Sequence, residues 1–153
     1  MPEEFLMKPI GWVHARRTTP EDDGWDAIPA RIALDATFGP EALAGLEQFS
    51  HIEVLFHFHA TSEPPETGAR HPRGRKDWPK AGIFAQRGKD RPNHIGATIC
   101  RLVSVQGTSL DVIGLDAIDG TPVLDIKPVW SGFLPRGGFH EADWAKELMQ
   151  NYW

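Results

Sequence analysis

A chain of 153 residues, 41% of them hydrophobic, is one domain's worth of sequence and long enough to bury a core without staples. No apolar run approaches the roughly 20 residues of a membrane span, the opening Met1–Phe5 carries acid where a secretion signal needs base, and the lone Cys100 excludes an intrachain disulfide framework. The expectation is a single domain over residues 1–153, cytoplasmic, with no membrane partner. The formal net charge is −5.

Taken in chain order, residues 8–16 alternate as a first strand, with Ile10, Trp12 and His14 on one side. Thr18–Gly24 is a polar turn region, and Ala30–Leu34 a short second strand. Gly39-Pro40 opens a short helix over Pro40–Gln48, since Pro suits the first helical turn and Leu43 and Leu46 stand three apart. Ser50–His59 is the clearest strand, with Ile52, Val54, Phe56 and Phe58 on one face and His51, Glu53, Leu55, His57 and His59 on the other. Thr61–Pro79, rich in Pro, Gly and charge, reads as a long loop. Ala81–Gln86, Ile95–Val105, Ser109–Leu115 and Pro122–Ile126 follow as strands, with a hairpin turn at Gln106-Gly107-Thr108. Glu141–Met149 is the remaining helix, followed by a short surface-facing tail ending in Trp153. About seven short strands without alternating helices predict a mainly β protein, a barrel or sandwich.

Charge is unevenly spread. Arg70, Arg73, Arg75, Lys76, Lys80, Arg87, Lys89 and Arg91 face only Asp77 and Asp90, so this segment carries +6 and the remainder −11. Such asymmetry suits a localised anion-binding surface, although a solvated loop has the same composition.

Three groups of residues have chemical potential. His57 and His59 put two imidazoles on one side of a strand, about 7 Å apart, where Glu53 and His71 could complete a metal site; polar lining of a half-buried sheet explains them equally. Arg87 and Arg91 flank a tight loop and suit a carboxylate or phosphate, unless both are merely solvated. In Leu115–Pro128, Asp125 and Lys127 share a face where an ion pair suffices; equally, Asp116, just after an apolar strand, could bond a ribose hydroxyl or an adenine amine, and the chemistry alone does not choose between these readings. No G-x-G-x-x-G follows a strand, and no Walker A, Cys-x-x-Cys, G-x-S-x-G or H-E-x-x-H pattern occurs.

Three segments, Gly45–His59 (GLEQFSHIEVLFHFH), Gly82–Val103 (GIFAQRGKDRPNHIGATICRLV) and Leu115–Val129 (LDAIDGTPVLDIKPV), together resemble the TrmO (TsaA-like) family. The opening PIGWVHAR fits the same family's first strand. The resemblance runs from about residue 8 to 130, and its RPN-x-IG and D-x-x-DGTP-x-x-DIKP elements are jointly specific. It departs at His94, where the family commonly has Pro, and in the basic Gly-Arg content of residues 64–79. The chain also ends at Trp153, where some members carry a further domain.

The resemblance implies a single-sheeted β-barrel, a homodimer, and methylation by S-adenosyl-L-methionine of N6 on threonylcarbamoyladenosine, beside the anticodon of tRNA. It places the cofactor against Asp23, Gly24, His59, Ala60, Arg87, Ile99, Leu115, Asp116, Ala117 and Ile118. Arg91, Lys127 and Asp119 match other motif positions and are candidates for substrate contact or architecture. A ureido N–H must be lost during transfer, so a general base is useful, and His59 and Asp119 are the candidates. The basic segment, with Arg73, Arg75 and Lys76, would then meet the phosphates of an anticodon stem-loop. A methyltransferase of this fold acting on a small molecule, and a metal-dependent barrel enzyme using His57 and His59, are the alternatives.

Overall fold

The computed structural model describes residues 3–61 and 63–153; Met1, Pro2 and Ser62, the last within the expected long loop, lie outside them. Six strands close a barrel: β1 (Gly11–Ala15), β2 (Pro29–Leu34), β3 (His51–His57), β6 (Ile95–Gln106), β7 (Ser109–Ile113) and β8 (Pro122–Pro128), in the spatial order β1-β2-β7-β6-β3-β8. Two further strands, β4 (Ala69–Arg70) and β5 (Ala81–Gly82), form a separate ribbon. All pairings are antiparallel, and the sheet has no free edge because β8 returns to β1 through Gly11↔Val123 and Trp12↔Pro122.

Closure has visible causes. The twelve-residue β6 pairs with β3 over Ile95–Arg101 and with β7 over Arg101–Gln106, so one strand serves two neighbours. Register shifts at Leu55/Phe56 and Leu102/Ser104 add the local twist that curls a sheet. Glycine permits the tightest approaches. A Cβ on Gly11 would stand 2.5 Å from the Ala33 carbonyl oxygen, and one on Gly96 would stand 2.6 Å from the Phe56 ring.

The lumen is a packed core, not a channel. Val13, Ile32, Ile52, Val54, Phe56, Cys100, Leu110, Val112 and Val123 fill it, with Leu115 and Ala117 from the β7–β8 connection. The period-two expectation for β3 therefore holds, with Ile52, Val54 and Phe56 inward. In β1 the buried set is Gly11 and Val13, opposite to Trp12 and His14. Burial pushes the Cys100 thiol up to about 12, with Asp116 adding to the effect, so it behaves as a small apolar side chain.

Four expected elements differ. The helix over Pro40–Gln48 is two 3-10 turns, Pro40–Leu43 and Leu46–Gln48, because Gly45 between them sits at φ 85. The three-residue spacing of Leu43 and Leu46 suits that tighter period. The strand over Ala81–Gln86 stops at Gly82 and gives way to a 3-10 turn, Ile83–Ala85. Helix α1 covers Asp143–Leu148 and continues as a 3-10 turn through Met149–Asn151. The long 61–79 segment contains β4 and a 3-10 turn, Pro72–Gly74, folded around buried Pro72 and Trp78.

A six-residue helix is too short to be stable alone. The Trp78 indole N–H donates to the Glu147 carboxylate at 2.8 Å, tying α1 to the 61–79 segment. Among the described residues no helix is long and apolar enough to cross a membrane.

Candidate functional site

One end of the barrel gathers most of the residues singled out from sequence. The strand β1 ends at Ala15, whose N–H donates to the Asp119 carboxylate at 3.0 Å. Two residues on, the Arg17 carbonyl accepts from the Asp119 N–H at 2.7 Å. The Arg17 guanidinium donates to the carbonyls of Asp23 (3.0 Å) and Gly24 (2.8 Å) and lies over the Trp25 ring at 4.4 Å. Arg17 thus joins the Asp119 turn to the Asp23–Gly24 loop, a link that no local motif announces.

The Asp119–Gly120 turn faces the end of β3. Gly120 adopts φ 80, and a Cβ there would stand 3.8 Å from His59 Nε2. His59 lies beyond β3 rather than on it, because the Phe58 N–H leaves the ladder to donate to the His94 carbonyl at 2.8 Å. His94 Nδ1–H donates to the Lys89 carbonyl at 2.9 Å, which fixes its tautomer, and its ring meets the His57 ring edge-on at 6.1 Å. Burial, then the neighbouring imidazoles of His94 and His59, hold His57 below the ordinary histidine range. His57 is therefore biased toward the neutral imidazole.

Asp116 is held by two side-chain donors. It accepts hydrogen bonds from the Thr98 hydroxyl on β6 and from the phenol of Tyr152. Burial first, and the Asp116 charge second, push the Tyr152 phenol above its usual range, while Arg73 and Arg87 act in the opposite sense. The tail expected to face solvent is in fact docked: the Gly24 and Trp25 N–H groups donate to the carbonyls of Asn151 (3.1 Å) and Tyr152 (2.9 Å). Tyr152 consequently sits among Asp23, Gly24, Arg73, Arg87 and Asp116. A lone tyrosine in a polar-aromatic tail was the available sequence signal, and it carried no pattern.

The remaining candidates fall into place around this centre. Arg87 donates to the Ala97 carbonyl at 2.5 Å, one residue from Thr98. Ile99, on the outer face of β6, lines a cleft of about 240 Å³ with Asp26, His51, Arg101, Gly114 and Trp153. Leu115, Ala117 and Ile118 are buried and form the floor beneath Asp116 and Asp119. Ala60 is exposed beside His59. Arg91 is used inside the protein, donating to the Gln86 carbonyl at 2.6 Å. Arg73 is ion-paired with Asp23 at 3.0 Å, and Arg75 with Asp77 while stacked on Trp78 at 3.9 Å. Lys76 is exposed. Lys127 lies outside the group, paired with Asp125 at 2.9 Å toward the far end of β8, opposite Glu53.

The metal alternative finds no ligand cluster among the described residues. Among the described residues no three His, Cys, Asp or Glu side chains converge on one ion. His71 is committed to the Trp78 carbonyl at 2.7 Å, and Glu53 stands four residues up the strand from His57.

A small closed antiparallel barrel with a packed lumen and a polar, loop-built cluster at one end defines the class: a barrel whose candidate site lies at its mouth. Residues 12–133 match the family model described as the tRNA-methyltransferase O N-terminal domain. The chain belongs to that family, TrmO.

A human tRNA (adenine(37)-N6)-methyltransferase is 37% identical over 140 residues, spanning 81% of this chain and 30% of that protein. A probable S-adenosyl-L-methionine-binding protein of Pyrococcus abyssi is 34% identical over 139 residues, spanning 84% of this chain and 70% of that protein. The crystal structure of TrmO from Pseudomonas aeruginosa superposes with a TM-score of 0.74 at 30% identity, covering 92% of this chain and 62% of that one. The chain thus spans about a third of the human relative's length and under two thirds of the solved structure.

Proposed function

We propose that this protein is a cytoplasmic S-adenosylmethionine-dependent methyltransferase acting as a homodimer on N6 of threonylcarbamoyladenosine, next to the anticodon of tRNA. The observation that carries the reading is the joining of a cation, a half-buried acceptor and an imidazole, Arg87, Asp116 and His59, at one barrel mouth within a TrmO-family chain. The names of the human and archaeal relatives support the acceptor and the cofactor respectively. Outward-facing Ile99 and Val103 on β6, 44% and 56% exposed, support an interface between copies.

The residues present fit this cofactor's chemistry. Asp116 uses two of its roughly four acceptor positions on Thr98 and Tyr152, leaving acceptor capacity for a ribose hydroxyl or an adenine amine. Arg87 retains donors beyond the one given to Ala97, enough for an amino-acid carboxylate. When bound, S-adenosylmethionine supplies a methyl group on a sulfonium, transferred by in-line displacement. The chain's own task is then alignment, which can contribute several kcal/mol. His59 Nε2, beside the Asp119–Gly120 turn, is positioned to receive the proton that the acceptor nitrogen loses.

The test is incubation of the purified protein with methyl-labelled cofactor and tRNA carrying threonylcarbamoyladenosine, followed by nucleoside mass analysis. Label is expected on the modified adenosine only. Cofactor binding without label in tRNA would replace this reading with a small-molecule acceptor.

A further inference from the structure

The basic segment looks different once its partners are known. Of its five arginines, Arg70, Arg73 and Arg75 are ion-paired to Asp90, Asp23 and Asp77, while Arg87 and Arg91 donate to backbone carbonyls. Lys76, Lys80 and Lys89 make no ion pair among the described residues. Between Lys80 and Lys89 stands Phe84, whose side chain is 79% exposed on the 3-10 turn Ile83–Ala85.

That turn is rigid. Ile83 and Gln86, on either side, are buried. The Ile83 N–H donates to the Gly68 carbonyl at 2.9 Å, and the Gln86 side-chain amide donates to the carbonyls of Arg70 (3.0 Å) and Ala81 (2.8 Å). The Gln86 carbonyl in turn accepts from Arg91. A phenyl ring is thereby held into solvent by a turn anchored on both sides, and the fold itself gains no packing from it.

We propose that Phe84 is a stacking platform for an unpaired RNA base, with Lys76, Lys80 and Lys89 meeting the flanking phosphates. The proposal rests on the tRNA reading above and extends it to the surface that holds the substrate. An exposed aromatic among unpaired cations is the combination that captures single-stranded nucleic acid, because every base has a π-face and every linkage an anion. A second copy of the chain is the poorer occupant: a two-fold contact through this patch would set its unpaired lysines against their own counterparts.

The experiment measures binding of a synthetic anticodon stem-loop carrying 2-aminopurine in the loop, across a salt titration, with cofactor affinity measured in parallel. Phe84→Ala should weaken RNA binding roughly ten-fold or more and abolish the stacking change in fluorescence, while Phe84→Trp retains both. Replacing Lys76, Lys80 and Lys89 by Gln should flatten the log–log salt dependence by roughly 0.7 per lost phosphate contact. Intact cofactor affinity in each variant shows that it folds. Equal binding by Phe84→Ala and parent, or by Phe84→Leu and parent, overturns the stacking role while leaving the tRNA reading in place. Dissociation of a parental dimer by Phe84→Ala would overturn it in favour of an interface between copies. Failure of the parent protein itself to bind the stem-loop, with cofactor bound, overturns the tRNA reading and this proposal with it.

Discussion

Tyr152 is the only tyrosine in the chain, so its ionisation and its removal can both be followed without interference from another phenol. In Tyr152→Phe the ring stays and only the hydrogen bond to Asp116 is lost. A bond to a charged acceptor contributes about 1.5–3 kcal/mol. The lower end applies here, since Asp116 is half-buried and keeps Thr98. A loss of about 1.5 kcal/mol in a chain of this size lowers the melting temperature by about 3–6 °C. The pH dependence has a definite sign. The folded phenol titrates above its unfolded value of about 10, so its contribution is fully present below pH ~10 and is lost as pH rises toward the folded value. Above pH ~10 the parent should lose about 1.4 kcal/mol per pH unit relative to Tyr152→Phe, closing the gap near pH ~11. Thermal melts of both proteins across alkaline pH, together with the ultraviolet absorbance of the phenolate, check this. Phenolate forming near pH 10 in the still-folded protein, or identical melts at neutral pH, would refute the docked tail.

Gly96→Ala should cost about 1–3 kcal/mol by overpacking, because the new methyl would lie 2.6 Å from the ring of Phe56, which is fully buried and cannot yield; denaturant titration reads this directly. Asp119 has a structural duty at Ala15, so two substitutions separate its roles. Asp119→Ala should lose about 1 kcal/mol of stability, whereas Asp119→Asn keeps an acceptor oxygen and should melt near the parent. A large fall in methyl transfer by a stable Asp119→Asn would make the carboxylate, rather than His59, the proton acceptor.

How much of this was legible beforehand depends on the range over which each decision is made. Alternation in His51–His57 and the spacing of short strands dictated a β protein, because inward and outward side chains alternate in any strand whatever it pairs with. The combined motifs around Pro92, Asp116 and Asp119 pointed to the correct family. The helix over Pro40–Gln48 was misread because the left-handed conformation of Gly45 depends on the chain's path around the barrel end. Tertiary structure alone decided which charges are free. Arg73 and Asp23 are fifty residues apart and Arg75 is stacked on Trp78, so composition could count these cations but not their partners. The same holds for the site's wiring: Arg17 reaching Asp23 and Gly24, and Tyr152 reaching Asp116, are contacts between segments that carry no shared pattern. A sequence encodes local periodicity in each segment separately, whereas a hydrogen bond across 36 residues exists only once closure of the barrel has brought both partners to one end.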